Sequence, residues 1–408
     1  MNCRFCNQEL GHSMVNLGMS PLCQSVVREE DLNKPEVFYP LHAFVCSGCF
    51  LVQLDSYVTP EHIFEEYAYF SSYSDTWLEH SSQYADKMVA ELGLHGDSQV
   101  VEIASNDGYL LQYFTEQDIP VLGIEPAKNV ADVAIQKGIE TRVIFFDETT
   151  AQTLVDEGVR ADLLIGNNVL AHVPELNSFV RGLKRVLAPD GVLTLEFPHL
   201  LRLMEGNQFD TIYHEHFSYF SLITAKRLFF EHGLSVFDVE ELETHGGSLR
   251  LHLCHDENQG RPIRPNVEEL IVREKEAGME EMKTYSGFGL QVEATKRNVL
   301  NFLISAKEDG KSVAGYGAPG KGNTLLNYCG IGTDLLDYTV DRNPYKQGTY
   351  LPGTRIPVFS PEKIQETQPD YVLILPWNLK DEIMRQMSFV GAWGGQFVVP
   401  IPELSVIQ

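Results

Sequence analysis

Between residues 100 and 197, short apolar runs alternate with segments of helical period, and no other feature restricts the fold of this 408-residue chain more. Runs at 100–104, 121–126, 141–146, 161–166 and 191–197 read as strands. The stretches 109–114, 129–137 and 176–187 read as helices, and one at 77–92 precedes them. Strand and helix in this rhythm predict a doubly wound parallel sheet, whose ligands sit at the carboxyl ends of the strands.

The turns of that sheet narrow the ligand. The first reads Ala104-Ser105-Asn106-Asp107-Gly108 and lacks the G-x-G-x-x-G that lets backbone approach a pyrophosphate. Glu125 closes the second strand, where an acid accepts hydrogen bonds from both ribose hydroxyls of an adenosine cofactor. A small cationic sulfonium cofactor suits this turn, with Glu102, Asp107 and Asp147 as acidic or acceptor groups. A loop that merely turns the chain is the alternative.

Five of the seven cysteines precede residue 50. Cys3-x-x-Cys6 and Cys46-x-x-Cys49 are two knuckles that can present four thiolates to one structural zinc ion. A disulfide pair and a redox motif compete, the second needing only one knuckle beside a βαβ unit. A closed four-thiolate site leaves the metal no open position, so it carries no expected catalytic role. Cys23, Cys254 and Cys329 are isolated and read as apolar packing residues. The aromatic segment 57–73, with Tyr67, Tyr69, Phe70 and Tyr73, suits packing or a lid.

Acid–base chemistry concentrates in Tyr213-His214-Glu215-His216-Phe217-Ser218-Tyr219. Two imidazoles, a carboxylate and two phenols share seven positions, and histidine exchanges a proton most readily near neutrality. A partly buried loop whose histidines bond to backbone is the bland alternative. Further on, Gly315-Tyr316-Gly317-Ala318-Pro319-Gly320-Lys321-Gly322-Asn323-Thr324 reads as a strand over 312–316, a Gly-rich turn and a helix starting at Asn323. Backbone N–H groups there, with Lys321, could hold a phosphate; packing or dimerisation is the other reading. Residues 245–250 read as a turn before a strand, and His199 and Asn177 as packing residues.

Composition sets limits. Apolar residues make up 43% and charged residues 22%, as in a globular protein. The net charge of −26 argues against non-specific binding to nucleic acid or anionic membranes. No apolar run reaches membrane-spanning length, and MNCRFCNQEL does not read as a signal peptide, so the expected setting is cytoplasmic. Monomeric behaviour is expected.

Taken together, the four cysteines, the S-N-D-G turn, Y-H-E-H-F-S-Y-F and G-x-G-A-x-x-K-G-N-T resemble the nucleotide-sugar C-methyltransferases. The resemblance extends over nearly the whole chain and is similar to the enzymes acting at C-3′ of dTDP-linked 4-keto deoxysugars. It implies an α/β protein with a zinc-binding module (1–74), a class I, Rossmann-like methyltransferase domain (75–260) and a second Rossmann-like domain (261–408). S-adenosylmethionine would be held by Glu102, Ser105, Asn106, Asp107, Gly108, Glu125, Pro126, Asp147 and Asn167. Tyr213, Glu215, His216 and His172 would be catalytic, and Tyr219, Lys321, Asn323 and Arg342 would touch the substrate. His216 would remove the C-3 proton, Tyr213 or protonated His172 would donate to the enolate oxygen, and Glu215 would orient or tune an imidazole. C-5 methylation, O- or N-methylation and a non-catalytic scaffold are the competing readings.

Overall fold

The computed structural model describes residues 1–59, 70–258 and 260–408. The chain forms two compact units, each built from separate stretches. Residues 1–10, 46–200 and 217–280 make the first, and 11–45, 201–216 and 281–408 the second. Tyr67 and Tyr69 lie outside the described residues, while Tyr73 ends a short 3-10 turn and is exposed.

In the first unit the Ser74 hydroxyl accepts from the Trp77 N–H and opens the helix Asp75–Leu92, which Gly93 closes in the left-handed conformation at φ 65°. The sheet has seven strands, in the order Leu234–Leu242, Ser248–His255, Leu187–Pro198, Ala161–Asn167, Val100–Ile103, Val121–Ile124 and Thr141–Arg142. The last five run parallel, as the alternation predicts. Ser248–His255 runs antiparallel to both its neighbours. A five-residue turn joins it to Leu234–Leu242, with Gly246 and Gly247 at φ 94° and 119°. So short a link cannot make the crossover that a parallel pair needs. Trp77, Tyr84, Met88 and Phe114 pack over Leu163, Ile165 and Val192 on one face; burying such a side chain contributes about 1.5–3 kcal/mol.

The expected strand at 141–146 shrinks to Thr141–Arg142. Phe146 leaves the sheet to meet Phe179 edge-on at 5.5 Å, and Asp147 then caps the helix Glu148–Asp156. The chain winds outward from Val100–Ile103 and returns to Ala161–Asn167 on its other side. The turns after these two strands therefore flank the switch point, where open α/β sheets bind ligands.

The second unit pairs His12–Ser20 antiparallel with Tyr39–Val45. The 27-residue helix Met282–Glu308 buries Tyr285, Phe288, Val292, Val299 and Leu303, a spacing that keeps one face inward. Its six-stranded sheet is parallel apart from Ser405–Ile407 at one edge. The helix after the Gly-rich turn spans Gly320–Cys329 and so starts before Asn323. Pro319 supplies the non-helical residue ahead of it, extended at ψ 159°. No helix among the described residues is long and apolar enough to cross a membrane.

Candidate active site

The two cysteine knuckles meet in the first unit. Cys3 Sγ lies 3.5 Å from Cys49 Sγ, Cys6 Sγ lies 3.5 Å from Cys46 Sγ, and all four sulfurs fall within 4.8 Å of one another. A tetrahedral zinc with bonds of about 2.3 Å needs sulfurs about 3.8 Å apart, so this donor set fits the ion. Each knuckle turns on a left-handed residue, Asn7 at φ 61° and Phe50 at φ 61°. Gln53 Nε2 and the Gly48 N–H donate to Cys3 Sγ (3.2 Å) and Cys46 Sγ (3.4 Å), stabilising negative charge on sulfur. Nearby, the Asn177 amide donates to the carbonyls of Arg4 (3.3 Å) and Phe5 (2.9 Å), the packing role expected of it.

At the switch point Glu102, Asn106, Asp107 and Glu125 come close together. Glu125 Oε2 accepts from the Asn106 N–H (3.0 Å) and Oε1 from the Ala127 N–H (2.8 Å), which fixes the plane of the carboxylate. Burial raises its pKa to about 7 despite those two donors. Burial also holds Glu102 well above the carboxylate range, and the nearby Glu125 and Asp107 add to this. Among the described residues no hydrogen bond of good geometry reaches either Glu102 oxygen, although the Tyr109 hydroxyl is close enough to oppose the shift. Ser105 Oγ, Asp107 Oδ1 and Asn167 Oδ1 are likewise buried and have no hydrogen-bond partner among the described residues. Buried acceptors without partners are costly. A cationic ligand rich in hydroxyl groups satisfies this set and relieves the repulsion among three acids. S-adenosylmethionine has that chemistry, and the residues fit it.

The backbone of the first turn is correspondingly unusual. Ala104 and Asn106 hold φ 59° and 51°, and Gly108 holds φ 77°, where a Cβ would meet Ile139 Cδ1 at 2.3 Å. Ala104 thus adopts the left-handed geometry that glycine would take more easily, at a cost of roughly 1–2 kcal/mol. Pro126 is half-buried between the second strand and the helix Lys128–Gln136. Asp147 Oδ1 caps the next helix, accepting from the Thr150 N–H at 2.7 Å. His172 ends the 3-10 turn Leu170–His172 that follows Ala161–Asn167. Tyr219 is buried in the first unit, where it pairs with Val52.

Tyr213, Glu215 and His216 belong to the second unit. His216 Nδ1 lies 3.0 Å from the Thr211 carbonyl, and its ring packs on that of Tyr213 at 4.0 Å between centroids. A carbonyl only accepts, so Nδ1 carries the proton and Nε2 bears the lone pair of the neutral ring. His214 turns elsewhere: its Nε2 lies 3.2 Å from the Pro40 carbonyl, and burial lowers its pKa. Glu215 is buried, with Oε1 3.6 Å from Cys23 Sγ, and burial raises its pKa to about 7 against the pull of Cys23 and Lys346.

Lys321 and Asn323 also fall in this unit, engaged within it. Lys321 Nζ bonds Asn378 Oδ1 at 2.8 Å and lies 4.6 Å from the centre of the Trp377 ring. Asn323 Nδ2 donates to the Cys23 carbonyl at 2.6 Å. Arg342 is exposed, with Glu382 3.9 Å away. Cys23 is buried as expected of a packing residue, yet it also donates to a carboxylate, and nothing in its neighbouring sequence signals that. Asp210, whose Oδ2 accepts from Trp377 Nε1 at 2.7 Å, was equally invisible.

Family models match three successive stretches: a zinc binding domain over residues 3–64, a methyltransferase domain over 77–239 and a C-methyltransferase C-terminal domain over 243–402. With the thiolate cluster and the acidic cradle, they define a zinc-binding, S-adenosylmethionine-dependent methyltransferase. Over its full length the chain is 37% identical to C-methyltransferase NovU of Streptomyces niveus, of which it covers 96%. It belongs to that C-methyltransferase family. A ubiquinone biosynthesis O-methyltransferase of Bartonella tribocorum is 27% identical over 96 residues, 23% of this chain and 39% of that one.

Proposed function

We propose that this C-methyltransferase acts on C-3′ of a nucleotide-linked 4-keto deoxysugar, with dTDP as the nucleotide, through an enolate. One observation carries the reading: the Thr211 carbonyl holds His216 in the tautomer whose Nε2 can take a proton. A 4-keto group acidifies the hydrogen on C-3, and an imidazole is matched to such a carbon acid near neutral pH. Removing that proton moves its electron pair into the ketone, and oxygen gains charge. Tyr213, or His172 in its protonated form, donates to that oxygen, an interaction worth a few kcal/mol when preorganised. Glu215 tunes the charge around the base. When bound, S-adenosylmethionine supplies an electrophilic methyl carbon, which the enolate carbon takes with release of S-adenosylhomocysteine. Glu125 orients that cofactor through its ribose, and Glu102 and Asp107 favour its positive charge. Tyr219 and Arg342 are the substrate contacts of this reading, Arg342 as an exposed cation for a phosphate.

The test is incubation with S-adenosylmethionine and dTDP-4-keto deoxysugars, read by mass spectrometry and NMR. The expected product is heavier by one methylene and carries its new methyl on C-3. A methyl on C-5 would keep the chemistry and move the carbon. A methyl on oxygen or nitrogen, or ligand binding without transfer, would overturn the proposal.

A further inference from the structure

The Gly-rich run that resembles a phosphate loop makes three separate contacts with the segment around Glu215 and His216, all inside the second unit. The first runs through charge. Lys321 Nζ, over the Trp377 ring, is the cation that opposes the burial of Asp210, and Trp377 Nε1 donates to Asp210 Oδ2 at 2.7 Å. Asp210 sits in the turn Phe209–Thr211, whose last carbonyl accepts from His216 Nδ1 at 3.0 Å. The second is direct: the buried Thr324 hydroxyl lies 3.2 Å from the Ile212 carbonyl, one residue before Tyr213. The third goes through Cys23. Asn323 Nδ2 holds the Cys23 carbonyl at 2.6 Å, and Cys23 Sγ reaches Glu215 Oε1 at 3.6 Å. Gly320 makes room for that thiol, since a Cβ there would lie 2.9 Å from Cys23 Sγ.

We infer that the start of the helix Gly320–Cys329, together with Cys23, Asp210 and Trp377, is a positioning frame for the acid–base segment 209–216. Lys321 and Cys23 are positioning residues: Lys321 anchors the turn that sets the tautomer of His216, and Cys23 seats Glu215. A buried carboxylate has few ways to hold one orientation, and a thiol donor together with the field of the Lys346 ammonium provides one. The frame also accounts for why Lys321 and Asn323 turn inward onto protein groups. It rests on the proposed role of His216 and Glu215, but its consequences can be read without turnover.

The experiment uses the full-length protein carrying Lys321→Met, Cys23→Ala or Cys23→Ser, each checked for melting temperature and S-adenosylhomocysteine affinity. In Lys321→Met, calorimetry should find dTDP affinity within about twofold of wild type, while kcat falls about tenfold or more and both KM values hold. A tenfold loss of dTDP affinity with kcat intact would instead make Lys321 a phosphate contact and overturn the frame. Glu215 faces the Cys23 thiol and the Lys346 ammonium. Its carboxyl infrared band, identified by its loss in Glu215→Gln, should titrate at higher pH in Cys23→Ala, because a donor to the ionised form is gone. Cys23→Ser should restore both the band and kcat, and an unmoved band in Cys23→Ala would overturn the Cys23 half. Should wild type methylate no 4-keto sugar nucleotide, the proposed reaction falls, while the dTDP and infrared readings still decide on the frame.

Discussion

Among the proposed cofactor residues, Glu125 has the most sharply defined environment. Two backbone N–H groups fix its carboxylate, and burial nevertheless holds its pKa at about 7. Ribose hydroxyls donate better to the ionised form, so S-adenosylhomocysteine affinity should rise as pH increases through about 7 and level off above it. Glu125→Ala should remove that step and weaken binding by about 1.5–3 kcal/mol, the range for hydrogen bonds to a charged group. Calorimetry from mildly acidic to mildly basic pH checks both, and a flat profile with unchanged affinity in the variant would contradict the role. Glu125 was legible because its place at the end of a strand follows from local pattern. Cys23 was not: its partner Glu215 lies 192 residues away, and periodicity says nothing about which remote group a buried thiol will meet. Asp210 and Trp377, 167 residues apart, escaped for the same reason.

Among the elements, the paired knuckles carry the most direct prediction. Four thiolates drawn from stretches 40 residues apart close into one cluster only if something offsets their repulsion, and zinc does so while contributing to folding. Metal analysis of freshly purified protein should find about one zinc per chain. Chelation should lower the melting temperature and leave kcat per folded molecule unchanged. Protein without zinc and with all four thiols freely titratable would refute the site. The knuckles were readable because C-x-x-C is a local geometry, and the parallel strands because alternation is local too. Other element features depended on neighbours. Phe146 leaves the sheet for Phe179, and a five-residue turn forces Ser248–His255 into an antiparallel place. Pro319 brings the helix start forward to Gly320, ahead of the Asn323 expected after a Gly-rich turn.

Across the whole molecule the candidate residues fall in different units. The acidic cradle, the zinc cluster and His172 belong to the first, while Tyr213, Glu215 and His216 belong to the second, with the boundary falling between His216 and Phe217. A net charge of −26 would repel the sugar nucleotide of the proposed reaction, so in that proposal a cation such as Arg342 has to hold its phosphates. In the proposed reaction His216 takes the proton that turns the 4-keto sugar into a nucleophile. Solvent deuterium exchange at C-3, followed by NMR with S-adenosylhomocysteine present, isolates that step from methyl transfer. Wild type should exchange, and His216→Asn should lose exchange and turnover by about 10²–10⁴-fold while binding both ligands. His172→Asn should keep part of the exchange, because a donor to the enolate oxygen lowers the barrier without accepting the proton. Undiminished C-3 exchange in His216→Asn, with complete loss in His172→Asn, would contradict the account.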